Sequence, residues 1–240
     1  MQADDRPVKD RLAIALDVDD LVVAQRIARQ VQPHIGVAKV GLELYSAVGP
    51  DAVGALASMG FKVFLDLKLH DIPTTVERSA RVLGSLGASY LTLHAFGGVD
   101  MLSAGVEGLA DGASKADLPP PTSLAVTILT SDDGAPPHIL PKRVMVALSA
   151  GCSGIVCAVD DAAEARTYGP RMEVVVSGIR PEGASRDDQA RAATPAAAID
   201  AGADLLVVGR AITRAEDPGA AAAAILDEVA AAVDGTSARA

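Results

Sequence analysis

The run Phe64-Leu-Asp-Leu-Lys-Leu-His-Asp-Ile-Pro73 concentrates chemistry-bearing side chains in an otherwise apolar context. In an extended chain successive side chains point to opposite faces, so Asp66 and Lys68 share one face while Leu65 and Leu67 take the other. Charges at a buried strand end are costly unless paired, which favours a functional role over a solvated salt bridge. Lys39 lies near the end of Val37-Ala-Lys-Val-Gly41, and Asp71 follows Lys68 in the next loop. Two lysines and two carboxylates, Lys39, Asp66, Lys68 and Asp71, can therefore converge. Interleaved opposite charges keep one another ionised and set up an electrostatic field before any substrate arrives. Asp17, closing Ala15-Leu-Asp17, either reaches the same cluster or caps the helix that follows, while Asp19 and Asp20 are expected caps. His94, ending Tyr90-Leu-Thr-Leu-His94, is either a base or a hydrogen-bonded structural histidine, with the second reading favoured.

A second constellation lies near the C-terminus. Val174-Val-Val-Ser-Gly-Ile-Arg-Pro-Glu-Gly183 and Leu206-Val-Val-Gly-Arg-Ala-Ile212 each run from a strand into a glycine turn bearing an arginine. Gly178 and Gly209 let backbone N–H groups approach an oxyanion, and Arg210 adds a fork of donors, so a phosphate monoester is the expected handle. One such turn is weak evidence, since βα turns use glycine for steric reasons alone. Two of them in this position strengthen the reading. The polar stretch Pro181–Arg191 between them suits either a lid closing over the anion or a disordered loop.

The elements that must hold these residues follow from periodicity. Strands are expected at Leu12–Leu16, Val37–Val40, Lys62–Asp66, Tyr90–His94, Ser123–Ile128, Gly154–Ala158, Glu173–Val176 and Leu205–Val208, each followed by an Ala-rich helical stretch. Helices are marked over Leu21–Gln32, Ala52–Ser58 and Val76–Leu86. Eight alternating units predict a single-domain (β/α)8 TIM barrel over residues 1–240, with its core at about 11–233, an open doubly wound sheet being the alternative. In such a barrel the phosphate site is built from the loops after strands 7 and 8, where the two glycine turns fall. Thr130–Pro141 is expected to be a loop on the active face, and the tail beyond Val233 to fray.

Composition narrows the function classes. With 21 basic against 31 acidic residues, a net charge of −10 and 2% aromatics, the chain lacks the basic footprint and stacking platforms of nucleic-acid binders. Cys152 and Cys157 match no metal motif and read as buried small hydrophobes of a reducing compartment. No apolar run backs the charges of Met1-Gln-Ala-Asp-Asp-Arg6 and none spans a membrane, so a secretory leader is not expected and a cytoplasmic location is.

On these motifs the chain resembles the orotidine 5′-monophosphate decarboxylase family. The match is carried by Ala15-Leu-Asp17, Lys39-Val-Gly41, Phe64 through Pro73, Thr127-Ile-Leu-Thr-Ser131, Gly178-Ile-Arg-Pro181 and Val208-Gly-Arg210, spread from the first strand to the last. The Asp-x-Lys-x-x-Asp-Ile-Pro segment is highly specific; the Gly-Arg pair is not. One local departure, Ser177-Gly-Ile-Arg where the family often has Thr-Pro-Gly-Ile-Arg, disturbs no role. The resemblance implies decarboxylation of orotidine 5′-monophosphate to uridine 5′-monophosphate without metal or cofactor. It further implies that Lys68 delivers a proton to C6, Asp66 sits beside the departing carboxylate and Lys39 holds the array. Asp17 and Lys39 would bind ribose hydroxyls, and Thr130 would contact the pyrimidine. Gln189, Arg210 and the Gly209 amide would hold the phosphate, with Arg180 in the same pocket. Asp71 and Thr75 would reach into a partner subunit, making a homodimer with shared sites. Related Mg²⁺-dependent sugar-phosphate barrels hold their metal partly through a Glu at the end of the second strand, where this chain has the repelling ammonium of Lys39. A catalytically silent nucleotide binder would have no use for the interleaved charges.

Overall fold

A computed structural model describes residues 6–132, 134–181 and 193–237. The β-branched runs form eight strands: β1 (Leu12–Ala15), β2 (Val37–Gly41), β3 (Lys62–Leu69), β4 (Tyr90–His94), β5 (Thr122–Val126), β6 (Gly154–Cys157), β7 (Glu173–Ser177) and β8 (Leu205–Val208). All neighbouring pairs are parallel, and β8 returns to β1 through Leu12↔Leu206, Ala13↔Val207 and Ile14↔Val208. The sheet is a closed barrel, and the open-sheet alternative falls on that pairing.

The helices are α1 (Leu21–Val31), α2 (Leu42–Val48), α3 (Asp51–Ala57), α4 (Pro73–Gly84), α5 (Gly98–Lys115), α6 (Ile139–Ser149), α7 (Val159–Tyr168), α8 (Pro195–Asp200), α9 (Arg210–Thr213) and α10 (Pro218–Ser237). Their starts follow local chemistry. Asp20, rather than Asp19, caps α1, its Oδ1 accepting from Val23 N at 2.8 Å. Ile72 is extended because a proline follows it, and Pro73 then opens α4, so Thr75 sits in the first helical turn. α6 begins at Ile139, so the loop after β5 stops there instead of running to Pro141. α10 continues to Ser237 where a frayed tail was expected.

Alternation along the strands sorts the core into two layers. Ala13, Ala15, Val37, Phe64, Tyr90, Leu124, Val126, Val156, Val175, Leu205 and Val207 fill the barrel interior. Their outward neighbours, such as Leu12, Ile14, Val40, Leu65 and Leu91, pack under the helices. Phe64 and Tyr90 supply the rings of the inner layer, with centroids 5.6 Å apart. Among the described residues, no helix is long and apolar enough to cross a membrane.

The tightest helix contact joins α4 and α5 backbone to backbone. A Cβ added at Gly108 would lie 2.2 Å from the Glu77 carbonyl oxygen, one at Gly112 would lie 1.9 Å from that of Arg81, and one at Gly84 would lie 2.3 Å from that of Leu109. The three glycines are thus required by approach distance. Around this seam Arg81 pairs with both Glu77 and Asp111, and Lys115 pairs with Asp111. α4 starts directly behind Asp71, so the seam fixes the base on which that carboxylate stands.

Candidate active site

The carboxyl ends of the strands surround a cavity of about 1140 Å³. One side carries a chain of alternating charges. Lys39 Nζ lies 3.1 Å from Asp17 Oδ1 and 3.4 Å from Asp66 Oδ2, and Lys68 Nζ lies 2.7 Å from Asp66 Oδ1. All four residues line the cavity. Register explains their meeting: Ala15 pairs with Lys39 and Gly41 with Asp66, which stacks the ends of β1, β2 and β3 side by side.

The array is electrostatically self-supporting. Burial pushes the Asp66 carboxyl up, but Lys39, Lys68 and the hydrogen bonds from Lys68 and Thr92 outweigh it and hold the group below its ordinary range. Burial likewise opposes the Lys39 ammonium, and Asp66 followed by Asp17 holds its pKa above the usual lysine value. Asp66 therefore stays an anion and Lys39 a cation across neutral pH. Gly41 belongs to the same construction, since a Cβ there would come within 2.9 Å of Asp17 Oδ1 and 3.1 Å of Lys39 Nζ.

Lys68 reaches this position by a route that simple alternation does not describe. Between Leu65↔Leu91 and Leu69↔Leu93 the β3 strand carries extra residues, a bulge that extends it to Leu69, past the expected end at Asp66. Lys68 sits in the bulge with φ 49°, a left-handed conformation that costs an L residue about 1–2 kcal/mol. Its amide donates to Thr92 Oγ1 at 2.8 Å, and the Thr92 hydroxyl donates to Asp66 Oδ1 at 3.1 Å. Thr92 is fully buried. Sequence reading passed over this threonine. The available signal was its even spacing from Tyr90 and His94, which puts a hydroxyl on the inner face of β4.

Asp71 does not join the array within one chain. It is exposed, as are Ile72 and Thr75, and its Oδ1 accepts from Ile72 N at 2.7 Å. The four-charge cluster is Asp17, Lys39, Asp66 and Lys68, with Asp17 in the place first given to Asp71. Asp17 accordingly pairs with Lys39, while Asp20 serves as the helix cap. His94 accepts from Phe96 N through Nδ1 at 3.2 Å, and burial followed by Arg143, His70 and Lys68 keeps its pKa below the ordinary value. A neutral imidazole used in this way is a structural histidine.

The other side of the cavity is lined by Ser177, Gly178, Arg180, Gly209 and Arg210, with Thr130 between the two sides. Gly178 has φ 83°, a turn that favours glycine. At Gly209 an added Cβ would meet Ala15 Cβ at 3.5 Å, an ordinary contact, so the space beside it opens on the cavity. Arg180 is buried; its Nη1 donates to the Ile179 carbonyl at 2.9 Å and its amide to the Ala193 carbonyl at 2.8 Å. With the Ile179↔Ala193 bridge, this ties together the two ends of the segment between them. Gln189 and the expected lid, apart from Pro181, lie outside the described residues. Cys152 and Cys157 are both buried, and burial pushes the Cys152 thiol up to about 12, far from reactivity.

A closed parallel barrel with a charged constellation at the carboxyl ends of its strands and glycine-arginine turns after β7 and β8 defines a class, the (β/α)8 barrels whose cavity opens at that face. Within that class the comparisons are specific. Residues 10–225 match the model of the orotidine 5′-phosphate decarboxylase / HUMPS family, and the chain belongs to that family. An orotidine 5′-phosphate decarboxylase from Anaeromyxobacter sp. (strain K) is 48% identical over 227 residues, covering 90% of this chain and 96% of that protein. One from Thermobifida fusca is 46% identical over 230 residues, covering 91% and 95%. Among solved structures, the orotidine 5′-phosphate decarboxylase from Lactobacillus acidophilus is similar with a TM-score of 0.77 at 34% identity, covering 92% of this chain and 99% of that one.

Proposed function

We propose that this chain decarboxylates orotidine 5′-phosphate to uridine 5′-phosphate and CO2, the last step of de novo pyrimidine synthesis, using its own side chains alone. The observation that carries the reading is the Asp17–Lys39–Asp66–Lys68 array facing an arginine- and glycine-lined pocket across one cavity. The phosphate binds at Gly209 and Arg210, with Arg180 beside it and Gln189 as a further ligand. The ribose hydroxyls meet Asp17 and Lys39, and Thr130 contacts the pyrimidine. This brings the C6 carboxylate against Asp66, whose retained negative charge disfavours it.

The C6–carboxylate bond then breaks, CO2 leaves and the electron pair stays on C6. The Lys68 ammonium stabilises that carbanion and transfers one proton to it, leaving a neutral amine that solvent re-protonates. Binding energy at the distant phosphate holds the reacting carbon in register. A divalent cation has no role in the proposal, because the Lys39 ammonium fills the position between Asp17 and Asp66.

The working unit is a homodimer in the cytoplasm, with Asp71 and Thr75 of each subunit completing the other's site. The support is their exposure at the rim, beside Ile72 at 66% and Phe96 at 68% exposed. Purified protein in excess EDTA should convert orotidine 5′-phosphate, followed by ultraviolet absorbance, and Lys68→Ala should not. No conversion by the unaltered chain with or without Mg²⁺ would overturn the reading.

A further inference from the structure

We infer that Thr92 is a positioning residue for decarboxylation, fixing the Lys68 backbone and the Asp66 carboxylate against each other through one hydroxyl; the inference rests on the activity proposed above. The bulge leaves Lys68 N–H without its regular ladder partner, because Leu69, not the residues before it, resumes pairing with β4. Thr92 lies opposite the bulge, between the paired Leu91 and Leu93, and its Oγ1 accepts that N–H at 2.8 Å. The same oxygen donates its proton to Asp66 Oδ1 at 3.1 Å, the carboxylate oxygen that receives Lys68 Nζ at 2.7 Å.

These bonds close a ring: Lys68 backbone to Thr92, Thr92 to Asp66, and Asp66 to the Lys68 ammonium. A flexible lysine is thereby anchored at both ends, and its root is held in a left-handed conformation that little else would select. The Thr92 side chain is sealed from water, so no solvent molecule substitutes for the hydroxyl. Proton transfer to a carbon depends steeply on distance, and a displacement of about 1 Å can cost about 10²-fold in rate. Thr92 does not itself line the cavity and acts there only through Asp66 and Lys68, leaving the glycine and arginine side undisturbed, so nucleotide affinity should be spared.

The experiment compares the unaltered chain with Thr92→Val, which matches the shape without the hydroxyl, and Thr92→Ser, which restores it. Thr92→Val should lose about 10–10²-fold in kcat while the KM for orotidine 5′-phosphate and the affinity for uridine 5′-phosphate stay within about threefold. Its kcat should also decline at a higher pH on the acid side, because Asp66 loses a hydrogen bond that favours its ionised form. Thr92→Ser should recover both rate and pH profile to within a few-fold. A folded Thr92→Val with unaltered kcat and acid limb overturns the inference, as does a Thr92→Ser as slow as Thr92→Val. If Thr92→Val does not fold, Thr92→Cys is read by the same criteria. Failure of the parent reading is separate, since there the unaltered chain itself gives no uridine 5′-phosphate.

Discussion

Replacing Lys39 by Met removes an ammonium while keeping most of the side-chain volume, so it isolates the charge at the centre of the array. Lys39 faces Asp17, 56% exposed, at 3.1 Å and Asp66, 12% exposed, at 3.4 Å. The water-facing Asp17 pair contributes at most about 1 kcal/mol. The attraction to Asp66 at 3.4 Å is about 5 kcal/mol at an effective dielectric of 20. Removing Lys39 also releases the cost of desolvating it, which offsets a large part of that sum. Asp66 keeps Lys68 and Thr92 as partners, so it is not left as an orphaned buried anion. The expected loss at about pH 7 is therefore about 2–3 kcal/mol, short of the ~3–5 kcal/mol seen when a buried charge loses its sole partner. Because the folded-state pKa of Asp66 lies below its unfolded value, its contribution is present above the unfolded value and is lost as pH falls through the folded one. The gap between the two proteins should thus be full at neutral pH and shrink under acid. Once Asp66 is protonated the parent retains a buried ammonium with a lost partner, and the order can invert. Urea unfolding followed by circular dichroism at about pH 7 and in steps from about pH 4 to about pH 3, into the range below the ordinary carboxylate value, measures this directly. A difference below about 0.5 kcal/mol at neutral pH, or one that does not vary with pH, would refute the electrostatic account.

Lys68→Ala should abolish turnover while uridine 5′-phosphate still binds within a few-fold by calorimetry, and comparable losses of both would remove Lys68 from its proton-donating role. Arg210→Ala should raise the KM for orotidine 5′-phosphate by about 10²-fold or more, the loss of roughly 3 kcal/mol from a charge-assisted contact; an unchanged KM would move the phosphate elsewhere. Mixing inactive Lys68→Ala and Asp71→Ala chains under subunit exchange should restore up to about a quarter of parental activity, as one intact shared site per hybrid requires, and no recovery despite exchange would place Asp71 outside the partner's site. Gly112→Ala drives a Cβ to 1.9 Å from the Arg81 carbonyl oxygen and should cost about 3 kcal/mol or a Tm fall of roughly 6–12 °C. Gly54→Ala, with nothing within 4 Å, should raise stability slightly, so equal effects at the two glycines would discredit the packing argument.

Barrel topology was legible because period-2 apolar runs alternated with helical stretches, and strand positions came out within a few residues. Asp17, Lys39, Asp66 and Lys68 were legible because charges at the ends of apolar strands need a reason. What escaped was non-local or depended on backbone irregularity. The bulge at Lys68 arises from how β3 registers on β4, which no pattern within β3 encodes. Thr92 carries no charge to draw notice, and its value exists only once the bulge is known. Gly41 was legible as part of a motif, yet its purpose, leaving room for Lys39 beside Asp17, needed the fold. The grouping of Asp71 with the array followed sequence proximity, whereas the turn at Ile72-Pro73 carries it outward.

The seam between α4 and α5 turns those helices into one stiff strut, since neither can slide or tilt without driving a carbonyl oxygen into the opposite helix. In the proposed shared-site dimer the tip of that strut, Asp71, would work in the neighbour's cavity. Alignment of a carboxylate in one active site is then a mechanical property of the other subunit's outer shell. In that dimer, substitutions on the far side of α5, remote from every reacting atom, should be felt as altered catalysis across the interface.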